Sequence, residues 1–147
     1  MTKLHEQIET PLATDAAFAF VADFANQSLW DPGTATSERL DSGPVGVGAR
    51  YRLAVRLGGR VAPMEYRISV FEPPNRVVLN GEGSGVSATD EIRFEPAGKG
   101  TRVDYTADIR LGGWMRLIQP FVGRAFSKLG RNAADGMKRE LDRLAGV

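Results

Sequence analysis

The sequence predicts an α+β domain, an antiparallel sheet of about seven strands curled round one long C-terminal helix. Three patterns predict it. Apolar and polar residues alternate with period two through most of residues 34–110. From Trp114 to Ala145 the period changes to that of a helix, with a single apolar stripe. Between the first strand and the rest of the sheet lies room for two short helices.

The first strand is residues 3–10, where Leu4 and Ile8 share a face with Glu6, and His5, Gln7 and Glu9 take the other. Pro11 ends it. Thr14 or Asp15 is placed to cap a helix running through Phe18, Phe20 and Val21. A second short helix spans Asp23 to Trp30 and stops at Pro32-Gly33.

Alternation then takes over. Tyr51, Leu53, Val55 and Leu57 interleave with Arg50, Arg52, Ala54 and Arg56. Met64, Tyr66, Ile68 and Val70 do the same, as do Ile92 with Phe94 and Val103 through Ile109. One dry and one wet face is the mark of an antiparallel sheet covered on one side. Gly58-Gly59, Pro73-Pro74-Asn75, Gly81 to Gly85 and Gly98 to Gly100 read as turns. In the final helix Ile118, Val122, Ala125, Phe126, Leu129, Ala133, Met137 and Leu144 form the stripe, and Pro120 kinks or restarts it.

Composition removes whole classes of function. The 147 residues include no cysteine and one histidine, His5, so thiol chemistry, disulfides and multi-histidine metal sites are excluded. No metal and no cofactor is expected. A net charge of +1 offers no global field for nucleic acid, and none is expected as a partner. Arg50, Arg52 and Arg56 line one wet face without an aromatic platform between them. The Gly-rich run 81–85 precedes a strand, not a helix, and so reads as a hairpin turn and not a phosphate loop. No apolar run has the ~20 residues of a membrane span and residues 1–10 lack a signal core, so stable membrane insertion is not expected and a cytoplasmic location follows by default.

A set of short stretches in fixed order resembles the START-like (SRPBCC) superfamily, which includes birch-pollen-allergen-like proteins and polyketide cyclase/dehydrase proteins. These are Ile8-Glu9-Thr10-Pro11 leading to Ala17 through Asp23, Trp30-Asp31-Pro32, and Phe71-Glu72-Pro73-Pro74-Asn75-Arg76-Val77. Phe94-Glu95-Pro96, Gly100 through Tyr105 and Leu111-Gly112-Gly113 complete the series. The resemblance spans nearly all of residues 1–147, read as one domain. It implies the helix-grip fold and an apolar small-molecule ligand, lipid- or polyketide-like, held between sheet and helix. It implies, as the alternative, a cofactor-independent cyclase or dehydrase.

The residues offer candidates for such a site. Period two puts Asp90 on the face of Ile92 and Phe94. There it is a ligand contact or acid/base group, or, more ordinarily, it sits at a bulge or wet rim. Tyr51, Tyr66 and Tyr105 fall on dry faces as ligand contacts or as core tyrosines, and Asn80 is either a contact or a turn residue. Asp90, Tyr105 and Tyr66 are the catalytic candidates. Trp30 lines a pocket mouth or caps the short helices, and Phe121, Ala125 and Leu129 face the ligand from the helix. With Ala125, Ala133 and Gly136 on that helix, a cavity of roughly 300 Å³ or more is expected. Residues 114–122 are apolar almost all round. Trp114, Leu117 and Phe121 lie off the stripe; either the Pro120 kink re-aims them into the core, or they make a second contact: a homodimer through Trp114–Val122, a lid, or a membrane surface.

Overall fold

In the computed structural model, which describes residues 2–57 and 59–147, the chain forms one seven-stranded antiparallel sheet gripping a long helix. Strand β1 is Thr2–Thr10, followed by helix α1, Thr14–Ala22. A 3₁₀ turn at Phe24–Asn26 leads into α2, Gln27–Trp30. Six strands follow: β2 Thr34–Arg39, β3 Arg50–Leu57, β4 Arg60–Glu72, β5 Arg76–Gly83, β6 Val86–Ala97 and β7 Gly100–Leu111. Helix α3, Gly123–Leu144, closes the chain. The sheet order is β1-β7-β6-β5-β4-β3-β2, a meander from β2 to β7 with β1 returning to pair with β7. Met1 and Gly58, the latter half of one expected turn, lie outside the described residues.

The alternation drives the sheet as expected. Along β6, Val86, Ala88, Asp90, Ile92 and Phe94 are buried while Ser87, Thr89 and Arg93 are exposed. Register shifts at Thr34/Thr36 and at Ile68/Val70 bend β2 and β4, which lets the sheet curl. Phe18 of α1 seals one end of the trough, its ring 5.3 Å from Phe71 and 5.2 Å from Phe94. Phe126, Ala134, Met137 and Leu141 are buried from α3, and Phe126, Met137 and Leu141 join the same core as Phe18.

Three local expectations are corrected. Ala13, extended at φ −61° and ψ 147°, caps α1, and no side chain supplies the cap. Thr14 already lies in the first turn, its hydroxyl 2.9 Å from that of Thr101. Gly81 to Gly83 belong to β5, so the hairpin turn is only Ser84-Gly85. Both have positive φ, 54° and 75°, as a two-residue turn between paired Gly83 and Val86 requires. Finally α3 starts at Gly123, not Trp114. Residues Gly113–Leu117 and Gln119–Phe121 are two 3₁₀ turns, broken where Pro120 lacks an N–H to continue a helix. The stripe shifts with that start. Ala125 is exposed and Leu144 half out, while Leu129 and Ala133 are half-buried over the sheet.

Candidate functional site

Between α3 and the concave face of the sheet lies a partly open cavity of about 100 Å³. Leu129, Gly130 and Ala133 close it from α3, and Leu4, Ala107 and Ile109 from β1 and β7. Leu53 and Val55 line it from β3. It is much smaller than the ~300 Å³ expected for a ligand pocket. Of the three small residues behind that expectation only Ala133 lines the cavity. Ala125 faces solvent, and Gly136 sits where a Cβ would fall 1.9 Å from the carbonyl oxygen of Trp30. Gly136 therefore lets α3 press onto the Trp30–Pro32 backbone.

Into this apolar space project the side chains Asp90, Tyr66, Tyr105, Gln27, Asp31 and Thr34. Asp90 is inward and only 4% exposed, so the wet-rim reading fails. It stands between Leu79 of β5 and Ala107 of β7. Tyr105 sits two residues away along β7, opposite Ile92, and its hydroxyl donates to Oδ2 of Asp90. Trp30 packs edge-on behind Tyr105, ring centroids 6.3 Å apart. Tyr66 of β4 is opposite Gly81. A Cβ on Gly81 would meet the Tyr66 ring at 2.5 Å, so the missing side chain makes room for that ring to lie across β5.

The wall opposite carries a second carboxylate that pattern reasoning passed over. Asp31 lies between the end of α2 at Trp30 and the Pro32-Gly33 turn. Its Oδ1 accepts from the Gly33 amide at 2.8 Å, the turn that Asp-Pro-Gly favours. Its Oδ2 accepts from Gln27 Nε2 at 3.1 Å and from the Thr34 hydroxyl at 3.0 Å. With its amide nitrogen committed to Asp31, buried Gln27 holds Oε1 without a donor among the described residues.

Electrostatics follow chiefly from burial. Desolvation pushes the Asp90 carboxyl up to about 7, against the Tyr105 hydrogen bond, which lowers it, and with the charge of Asp31, which raises it. Burial likewise raises Asp31, opposed by the Gly33 amide, Gln27, Thr34 and Arg56. The hydroxyls of Tyr66 and Tyr105 are held well above 10, first by burial and then by Asp90. The cavity is thus rich in acceptors, with one carboxyl poised near neutrality.

Other candidates stand elsewhere. Asn80 is on the outer face of β5, exposed, accepting from Thr89 at 3.2 Å. Tyr51 is wholly buried beside Phe24, away from the cavity; burial and then the charge of Asp23 raise its hydroxyl. Phe121 is 83% exposed and Ala125 also faces out, because the 3₁₀ turns before α3 rotate the segment away from the sheet. Among the described residues no three acids or histidines converge as metal ligands, and no helix is long and apolar enough to cross a membrane.

Known proteins share this architecture. A START superfamily protein of Mycobacterium smegmatis superposes with a TM-score of 0.83 at 13% identity, covering 98% of this chain and 99% of its own. The Zhui aromatase/cyclase of a Streptomyces species gives 0.80 at 14% identity, covering 96% and 93%. A protein of Thermus thermophilus gives 0.78 at 17%, covering 98% of both chains. At such identities the likeness is one of fold. A comparison with curated proteins finds no match. The sequence itself matches one family model from residue 1 to 145, and on that match the chain belongs to the family described as polyketide cyclase/dehydrase and lipid transport.

Proposed function

We propose that this protein binds a small apolar molecule whose polar end carries a hydrogen-bond donor. The observation that carries the reading is the cavity lining. Aliphatic walls end in Asp90, Asp31 and the unpartnered Oε1 of Gln27, all acceptors, with no Lys or Arg among them. A ligand hydroxyl or N–H placed there satisfies a buried acceptor that otherwise costs about 1–3 kcal/mol. The family's description, which joins lipid transport to cyclase chemistry, fits such a ligand. A cavity of about 100 Å³ takes only a small head group, so a longer molecule must displace Leu129 or the start of α3.

The test uses N-phenyl-1-naphthylamine, an apolar fluorophore with one N–H. One saturable site is expected. Ala133→Trp, which fills the cavity, removes it, and Asn80→Ala, on the outer face, leaves it intact. Uptake that survives Ala133→Trp sinks the proposal.

Asp90 favours a second reading, proton transfer of the cyclase type. A carboxyl near 7 takes and returns a proton readily at neutral pH. Acting on a poly-β-keto chain, the Asp90 carboxylate would remove a proton from a methylene between two carbonyls. The resulting enolate carbon would bond to the carbon of a carbonyl farther along the chain, whose π electrons pass to its oxygen. The alkoxide formed would accept a hydrogen bond from Tyr66 and then the proton held by Asp90. Asp90→Asn would abolish turnover of a short β-polyketone while leaving its binding within a few-fold; unchanged turnover would rule the reading out.

A further inference from the structure

We infer that the 3₁₀ segment 113–121 is a docking surface for an anionic lipid bilayer. The segment is two-faced. Its inner face is fastened to the sheet: Gln119 Oε1 accepts from the Leu111 amide at 3.0 Å, and its Nε2 donates to the Ile109 carbonyl at 2.7 Å. Met115 is half-buried, reaching the turn at Gly85. Its outer face carries Trp114, Leu117 and Phe121, which are 73%, 79% and 83% exposed. Three large apolar side chains left in water on an anchored scaffold need a covering surface.

Charge decides which surface. From Leu111 to Ala134 the chain contains no Asp or Glu, but holds Arg116, Arg124, Lys128 and Arg131. All four cations are exposed, and no ion pair among the described residues neutralises them. Arg124, Lys128 and Arg131 follow at i, i+4 and i+7, one face of α3, where like charges repel. Lys3 joins Arg116 at the cleft beside Gln119 and Pro120. A second copy docking face to face would set these cations against their own copies, with Asp135, four residues past Arg131, the first acid to follow them in the chain. A bilayer with anionic headgroups meets both features: aromatic and leucine side chains enter the interface while Lys and Arg pair with phosphate. The segment leads directly into α3, whose Leu129 and Ala133 wall the cavity, so docking brings the binding site to the lipid.

The two tryptophans make the test direct. Trp30 is 3% exposed and serves as a constant background, while Trp114 reports on docking. The protein is mixed with vesicles of phosphatidylcholine alone or of phosphatidylcholine with phosphatidylglycerol. A blue shift and co-sedimentation are expected only with the anionic vesicles, and both fade as salt rises. Arg116→Gln with Lys128→Gln weakens binding by about fivefold for each cation lost. Trp114→Ser with Leu117→Ser and Phe121→Ser abolishes binding with an unchanged circular dichroism spectrum, since these residues lie outside the core. Equal binding to both vesicles, binding to neither, or a dimer in solution that the triple serine variant dissociates would each overturn the inference.

Discussion

The Tyr105 hydroxyl donates to Oδ2 of Asp90 across neighbouring strands β7 and β6, and among the described residues this is the one hydrogen bond that opposes desolvation of that carboxyl. Tyr105 is diagonal to Asp90 in the ladder, beside small Ala107, so its ring can lean along the sheet face.

Asp90→Asn should change how stability depends on pH. The folded carboxyl titrates near 7, above the unfolded value of ~3.9, so the unfolded chain releases its proton first. Wild type therefore loses stability as pH rises from about 4 to about 7 and is flat beyond. That gap corresponds to at most about 4 kcal/mol. The asparagine variant lacks this loss and should be the more stable protein at pH 8. Urea unfolding across the pH range checks it; parallel curves for the two proteins would contradict the assignment.

Tyr105→Phe removes the opposing hydrogen bond and leaves burial unanswered. The midpoint of Asp90, followed by the carboxyl carbon signal in NMR, should move upward from about 7. A downward movement would mean that water enters the cavity once the hydroxyl is gone.

Gly136→Ala should cost roughly 3 kcal/mol or more. Its methyl would meet the backbone carbonyl of Trp30, which cannot swing away as a side chain can. The thermal midpoint should drop by several degrees. A variant as stable as wild type would show that α3 can shift without loss.

Gly81→Ala should cost about 1–3 kcal/mol through the Tyr66 ring. Since the obstruction is a side chain, combining Gly81→Ala with Tyr66→Ala should recover most of that cost relative to Tyr66→Ala alone. The coupling in this double-mutant cycle is the measurement, and additivity would refute the contact.

How far the sequence carried the reading depended on which residues obey a period. Asp90 follows Ile92 and Phe94 by twos, so its inward position was legible before any coordinates, as was Tyr66 beside Met64 and Ile68. Asp31, Gln27 and Thr34 lie in a short helix and the turn after it, where no period applies, and α3 holds that turn over the cavity from more than a hundred residues away. The helix stripe misled for a related reason. Extending one period of 3.6 through Pro120 rotated Ala125 inward on paper, whereas 3₁₀ turns reset the phase before Gly123. Cavity size was misjudged because a glycine can mean close backbone approach as readily as empty space, and Gly136 means the former.

The pairing of β1 with β7 sets Thr2 opposite Ile109 and Thr10 opposite Thr101. During synthesis, at about 5–20 residues per second, β1 leaves the ribosome roughly 5–20 s before its partner strand exists. Throughout that interval Leu4 and Ile8 have no sheet to join and the meander β2–β6 lacks its last neighbour. Completion must wait for β7, after which β1 and α3 can close over the same trough. Folding of this protein is therefore expected to be late and all at once, with unpaired strands exposed on the nascent chain until β7 is made.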